Sequence, residues 1–130
     1  MSFLNEEIYK KYVNTSIEIF DTKKFAQVGA NNKYKMDTIT RTFEGHAVRV
    51  LMDMERMYAK GEYTEILNKC NELIQVVTEV GGIRLNTVLH NMIKSIRNSD
   101  YDRIPTSFII MQAEIEKLVG EMKNFVDETV

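Results

Sequence analysis

The sequence predicts an all-α protein: an antiparallel up-down four-helix bundle with an additional N-terminal helix. Three observations lead there. Apolar residues return every three or four positions over long stretches, a single Pro interrupts 130 residues, and Gly61 and Gly81-Gly82 fall between the periodic stretches. A chain of this length fits one domain with a real core. Its pattern divides into an N-terminal helix and loop (1–35) and the bundle proper (36–130).

The first segment, about Asn5 to Phe20, reads as helix on a mediocre stripe of Ile8, Tyr12, Ile17, Ile19 and Phe20. Asp21 to Lys35 is polar, contains Gly29 and Asn31-Asn32, and has no sustained period, so a loop or a short turn of helix is expected. A long amphipathic helix then begins near Met36-Asp37, with Asp37 as the expected cap, and runs to Ala59. Ile39, Phe43, Ala47, Val50, Leu51, Met54 and Met57-Tyr58 lie on its apolar face, and Lys60-Gly61 ends it. The next helix, Tyr63 to Val80, has the cleanest stripe: Ile66, Leu67, Cys70, Leu73, Ile74, Val77 and Val80. Gly81-Gly82 stops it and allows an abrupt return. Ile83 to Arg97 follows with Leu85, Val88, Leu89, Met92, Ile93 and Ile96, and Asn98-Ser99-Asp100 makes a turn. The last helix starts around Asp102 to Pro105, where Pro suits a first turn. It carries Phe108, Met111, Ile115, Leu118, Met122 and Phe125 at alternating steps of three and four, a seam that requires a partner groove. Short connections make sequential helices antiparallel neighbours.

Composition excludes several classes of function. With 19 acidic against 17 basic side chains the net charge is -2, which offers no basic surface for nucleic acid. Apolar runs such as Ser107 to Met111 are far below the roughly 20 residues needed to cross a bilayer, so no membrane partner is expected. Met1 to Glu7 shows no positive patch followed by an apolar core, so no secretion signal is expected. A lone Cys70 cannot form an internal disulfide and suggests a reducing compartment. The expected location is the cytoplasm, with the nucleus also compatible, and Asn14-Thr15-Ser16 is expected to stay unglycosylated.

No residue pattern declares an enzyme. His46 and His90 lie at the edges of their apolar stripes in no catalytic arrangement. With no paired histidines at metal-ligand spacing and one Cys, no metal is expected, and no cofactor either. Cys70 falls on the buried stripe with Leu67 and Ile74, which reads as core. Glu114 and Glu116, and Glu6-Glu7, read as solvated helix faces. Gly81-Gly82 joins two helices and is followed by no Lys-Ser/Thr, so it is no phosphate cradle. The eight methionines, Met52, Met54, Met57 and Met111 among them, offer either an adaptable binding surface or, as is commoner at helical spacing, core filler.

The stretch Asn71-Glu72-Leu73-Ile74-Gln75, followed by Val76 to Val80 and then Gly81, resembles the histidine-containing phosphotransfer domain, in particular its stand-alone plant and yeast type. That family carries H-x-L-K-G/S in the middle of an exposed helix face and a Gly ten residues after the His. Leu73 and Gly81 occupy the matching places. The resemblance runs from Met36 to Val126, through a long helix with Phe43, a Lys-Gly-Glu-Tyr turn, and a closing helix with Glu114, Lys117, Leu118 and Phe125. It implies a four-helix bundle in two-component phosphorelay signalling, with response-regulator receiver domains or sensor histidine kinases as partners.

The departures from the family decide the chemistry. Asn71 stands where the family has its phosphoacceptor imidazole. A neutral imidazole offers a lone pair that can attack an aspartyl phosphate, whereas a carboxamide nitrogen is delocalised into its carbonyl and is no nucleophile. Ile74 replaces the Lys that would neutralise phosphate charge, and Gln75 replaces the small residue that admits a receiver domain. The resemblance therefore implies a pseudo-phosphotransfer protein, not an enzyme, that docks partners without carrying phosphate. Its expected docking face is Asn68, Glu72, Ile74, Gln75 and Thr78 around the degenerate acceptor position Asn71, with Gly81 structural. The same residues are equally what an ordinary solvated helix face shows. A monomer is expected. Two alternatives remain open: a helical adaptor that oligomerises through a partly exposed Phe108–Phe125 seam, and active phosphotransfer through His90. Against the second, Lys94 follows His90 one residue too late and Asp100 stands where the Gly should be.

Overall fold

The computed structural model describes residues 6–129, and among these every regular element is helical. Asn5, the expected start of the first helix, lies outside the described residues. The elements are α1 (Glu6–Tyr12), α2 (Thr22–Val28), α3 (Lys33–Ala59), α4 (Tyr63–Val80), α5 (Ile83–Arg97), a 3-10 turn (Tyr101–Arg103) and α6 (Ile104–Glu128). α3 packs on α4 and α6, and α5 packs on the same two helices, while α1 and α2 lie against the outside of the group.

Two boundaries differ from the sequence reading, and a third stretch takes one of the two forms expected for it. The first helix stops at Tyr12 instead of Phe20. Beyond it, the Asn14 side-chain oxygen accepts from the Ser16 amide (3.0 Å) and hydroxyl (2.6 Å). Such a local turn competes with the helical ladder, and Val13 to Phe20 become an irregular strap. The stretch after Asp21 is a two-turn helix, because the Asp21 carboxylate accepts from the Lys24 amide (3.1 Å) and Phe25 is fully buried. α3 starts at Lys33, three residues before the expected start and across the expected 35/36 division. Asn32 caps it by accepting from the Lys35 amide (2.9 Å), while Asp37, the expected cap, pairs with Arg41 at 2.8 Å.

The bounds of α4 and α5 match the sequence reading, and Pro105 sits in the first turn of α6. The apolar stripes meet in one core. Phe43, Met54, Ile66, Cys70, Leu73, Met92, Met111 and Leu118 are each at most 2 % exposed. The α6 seam lies inside this core from Phe108 to Met122, and Phe125 closes an edge-to-face cluster with Phe20 and Phe25. No a/d seam on α6 is left facing solvent for another chain.

Cys70 sits among sulfurs, with its Sγ 3.5 Å from Met92 Sδ and 3.9 Å from Met54 Sδ. Burial pushes its thiol pKa up to about 12, so it is a soft core group and no nucleophile. Cys70→Ser is expected to destabilise the fold by about 1–3 kcal/mol in urea denaturation, because a hydroxyl enters that cluster without a good acceptor. No change would mean that the site tolerates a polar group.

Candidate functional site

Position 71 lies halfway along α4. Its neighbours Cys70 and Leu73 are fully buried, and the 100° turn between successive residues then carries Asn71 to the solvent side. Asn68, Asn71, Glu72, Gln75 and Thr78 are all exposed and share one stripe of the helix. Ile74 does not stand in the open with them. It is half-buried against the core at the flank of the stripe, as its place on the apolar pattern of α4 requires.

The charge around Asn71 is committed elsewhere. Lys69, the single Lys of α4, reaches Glu72 at 3.3 Å and Asp53 of α3 at 3.9 Å. It is turned towards α3 and does not replace the Lys that position 74 lacks. Thr78 is engaged too, its hydroxyl accepting from the Asn86 side-chain amide at 3.1 Å. That bond ties the end of the stripe to α5.

The stripe ends at Gly81, whose φ of +82° is a left-handed conformation. A Cβ there would stand 2.6 Å from the Asp21 carbonyl oxygen. Asp21 in turn donates its amide to the Gly81 carbonyl at 2.8 Å, and the Ile83 amide donates to Ile19 at 3.1 Å. The strap thus crosses the α4–α5 turn at a distance that only glycine permits.

His90 is exposed on α5, beside a groove of about 450 Å³ that Lys24, Thr78, Ile83 and Thr87 also line. Its Nδ1 lies 2.9 Å from the Asn86 carbonyl, to which only a protonated nitrogen can donate. The Nε2 lone pair is then the free one. His46 lies on α3 in an apolar groove with Phe43, Val76 and Val80, and its Nε2 is buried without a hydrogen-bond partner among the described residues. The two imidazoles are on different helices and no hydrogen bond joins them. Among the described residues no group of three or more His, Cys, Asp or Glu is placed to hold a metal ion, and no helix is long and apolar enough to cross a membrane.

Sequence reasoning missed one cluster. Glu114, read as solvated, is 1 % exposed. It stands 3.7 Å from Arg84 and 3.5 Å from Lys117. Arg84 also donates to the Ile17 carbonyl (2.9 Å) and the Thr15 carbonyl (3.0 Å), and Lys117 donates to the Tyr9 hydroxyl (3.0 Å) while lying over that ring. One buried carboxylate therefore anchors the two cations that hold α1 and the strap. The signal was present: Glu114 lies between Met111 and Leu118, one turn from each, on the inward face of α6.

Burial raises the Glu114 pKa above its ordinary value of 4.5, against the lowering effect of Lys117. A carboxyl whose pKa is raised by folding contributes most stability below its unfolded value and loses it as pH rises through the folded one. Glu114→Gln is expected to remove that loss. The difference in unfolding free energy between variant and wild type should grow in the variant's favour as pH rises from about 4.5 towards neutrality. A difference independent of pH would contradict the assignment.

In comparisons with known proteins, no protein-family model, no curated protein and no solved structure matches the chain.

Proposed function

We propose that this chain is a pseudo-histidine phosphotransfer protein of two-component phosphorelays, which binds receiver or sensor-kinase domains without carrying phosphate. In this reading α3 to α6 form the antiparallel up-down bundle, and α1, α2 and the strap are accessories packed upon it. The protein acts inside the cell, in the cytoplasm or the nucleus. The observation that carries the reading is the exposed carboxamide of Asn71, held outward halfway along α4 by buried Cys70 and Leu73, with Gly81 ten residues beyond.

A receiver domain that meets this face finds hydrogen-bonding groups at Asn68, Asn71, Gln75 and Thr78, a carboxylate at Glu72 and the apolar flank of Ile74. At the acceptor position itself it finds no nucleophile and no free ammonium to draw its phosphoryl group across. Docking without transfer leaves the aspartyl phosphate where it was and occupies the surface that an active phosphotransfer protein would use.

Asn71→His restores the ring without the Lys at position 74. Incubated with a phosphorylated receiver domain, that variant is expected to take up little or no acid-labile phosphate. Robust uptake would show that the charge environment had never been limiting.

A second reading is favoured by one observation. His90 is exposed, and its Nδ1 is occupied by the Asn86 carbonyl, which leaves Nε2 as the nucleophilic nitrogen. Active transfer through His90 predicts acid-labile phosphate on the wild-type chain that is lost in His90→Gln. The pseudo-phosphotransfer reading predicts none in either protein.

A further inference from the structure

Three hollows follow one another along the outer side of α5. The first, of about 450 Å³, lies where α2 and the end of α4 meet Ile83 and Thr87. The second, of about 400 Å³, lies against α1 and the start of the strap, and the third, of about 220 Å³, reaches Asn98 and the 3-10 turn. Asn91 lines all three, which makes them one groove. From Ile83 to Asn98 it follows about 22 Å of helix, the length of roughly six or seven residues of extended chain.

Charge gathers in this groove against the trend of the molecule. The chain has 19 acidic and 17 basic side chains, yet the groove is lined by Lys10, Lys11, Lys24, Lys94 and Arg103 against the carboxylates of Asp21 and Asp100 alone. Lys11, Lys24 and Lys94 pair with no carboxylate among the described residues. Arg103 lies over the Tyr12 ring at 5.2 Å, a contact that leaves its charge unneutralised, and Lys10 has Glu6 at 3.8 Å. A groove with such an excess of one sign draws the opposite sign into it.

We propose that this groove binds an acidic stretch of a partner protein in extended conformation, with its carboxylates concentrated at its centre. Two features of the lining favour a peptide over a nucleic-acid strand. Asn91 and Asn98, both exposed, stand seven residues apart on one face of α5, and neither side chain is engaged among the described residues. Two helical turns are about 10 Å, the rise of roughly three extended residues, so the two carboxamides meet successive peptide groups of one edge. A carboxamide donates and accepts, as a peptide group does, whereas a phosphodiester only accepts. Asp21 and Asp100 lie in the first and third hollows, where they would oppose a continuous polyanion but spare a peptide whose ends are neutral. The groove touches the α4 stripe only at Thr78, so binding here does not depend on a receiver domain at Asn71.

Fluorescence anisotropy with a labelled, end-blocked peptide, Gly-Ser-Glu-Glu-Glu-Glu-Ser-Gly, tests the proposal. The peptide is expected to bind the full chain and to bind more weakly as salt rises, and its counterpart with Lys in place of Glu should not bind. Lys11→Glu and Lys94→Glu should each weaken binding by about fivefold or more with unchanged circular dichroism, because both side chains are exposed and an attraction becomes a repulsion. Asn91→Leu, which leaves every charge in place, should weaken it as well. Lys123→Glu changes the net charge equally but lies on α6 beside Glu44 of α3, at 3.4 Å, and should leave binding unaltered. No binding at millimolar peptide, a loss in Lys123→Glu equal to that in Lys94→Glu, indifference to Asn91→Leu, or a thymidine octanucleotide that binds more tightly than the peptide would overturn the proposal.

Discussion

Arg84→Met is expected to lower the free energy of unfolding by about 3 kcal/mol. Arg84 is 8 % exposed and does three things at once. It fills the Ile17 and Thr15 carbonyls with donors at 2.9 and 3.0 Å, and it stands 3.7 Å from the buried Glu114 carboxylate. A thioether replaces its length and none of its charge. The carboxylate then keeps Lys117 alone, and two strap carbonyls lose their partners, a combination that costs far more than a surface ion pair. Urea denaturation followed by circular dichroism measures the loss. A change below about 1 kcal/mol would mean that the Phe20 packing holds the strap and the ionic cluster is incidental.

Gly81→Ala has the second large effect, about 2–3 kcal/mol of destabilisation. The left-handed conformation alone accounts for about 1–2 kcal/mol with any β-carbon. The rest comes from the strap, because the new methyl would stand 2.6 Å from the Asp21 carbonyl oxygen and 3.2 Å from Asp21 Cβ. Asp21 must move away, which stretches its 2.8 Å hydrogen bond to the Gly81 carbonyl. The loss is expected to be partly relieved where the strap is already loose, so Gly81→Ala and Arg84→Met should be less than additive. Strict additivity would show that the two contacts hold the strap independently.

The long helices were legible because their signals are local. The clean stripe of α4 and the two glycines after it set both its bounds and the burial of Cys70, Leu73 and Val77, and from these the outward direction of Asn71 follows. The N-terminal region was less legible for an equally physical reason. Ile17, Ile19 and Phe20 are apolar at spacings that a helix would accept, yet the Asn14 turn breaks the ladder and the strap takes its hydrogen bonds from Arg84, Gly81 and Ile83 far along the chain. Such long-range partners leave no periodic trace. Glu114 was misread because a carboxylate ordinarily marks a solvated position, whereas here Arg84 is buried beside it and the half-exposed Lys117 reaches it from the surface. Its inward register between Met111 and Leu118 was the stronger signal.

The site itself was half legible. The exposure of Asn68, Asn71, Glu72, Gln75 and Thr78 follows from the period of α4, and so does the half-buried flank of Ile74. The engagement of Lys69 with Asp53 and of Thr78 with Asn86 depends on which helices lie alongside, and no spacing within α4 encodes it.

The most direct test of the central claim is to mix the purified chain with a phosphorylated receiver domain and follow complex formation and the position of the phosphoryl group together. A complex in which the receiver keeps its phosphate, weakened by Asn71→Arg or Gln75→Arg on the α4 face, is the expected result. Acid-labile phosphate on this chain would contradict the account, as would the absence of any complex with receiver or kinase domains.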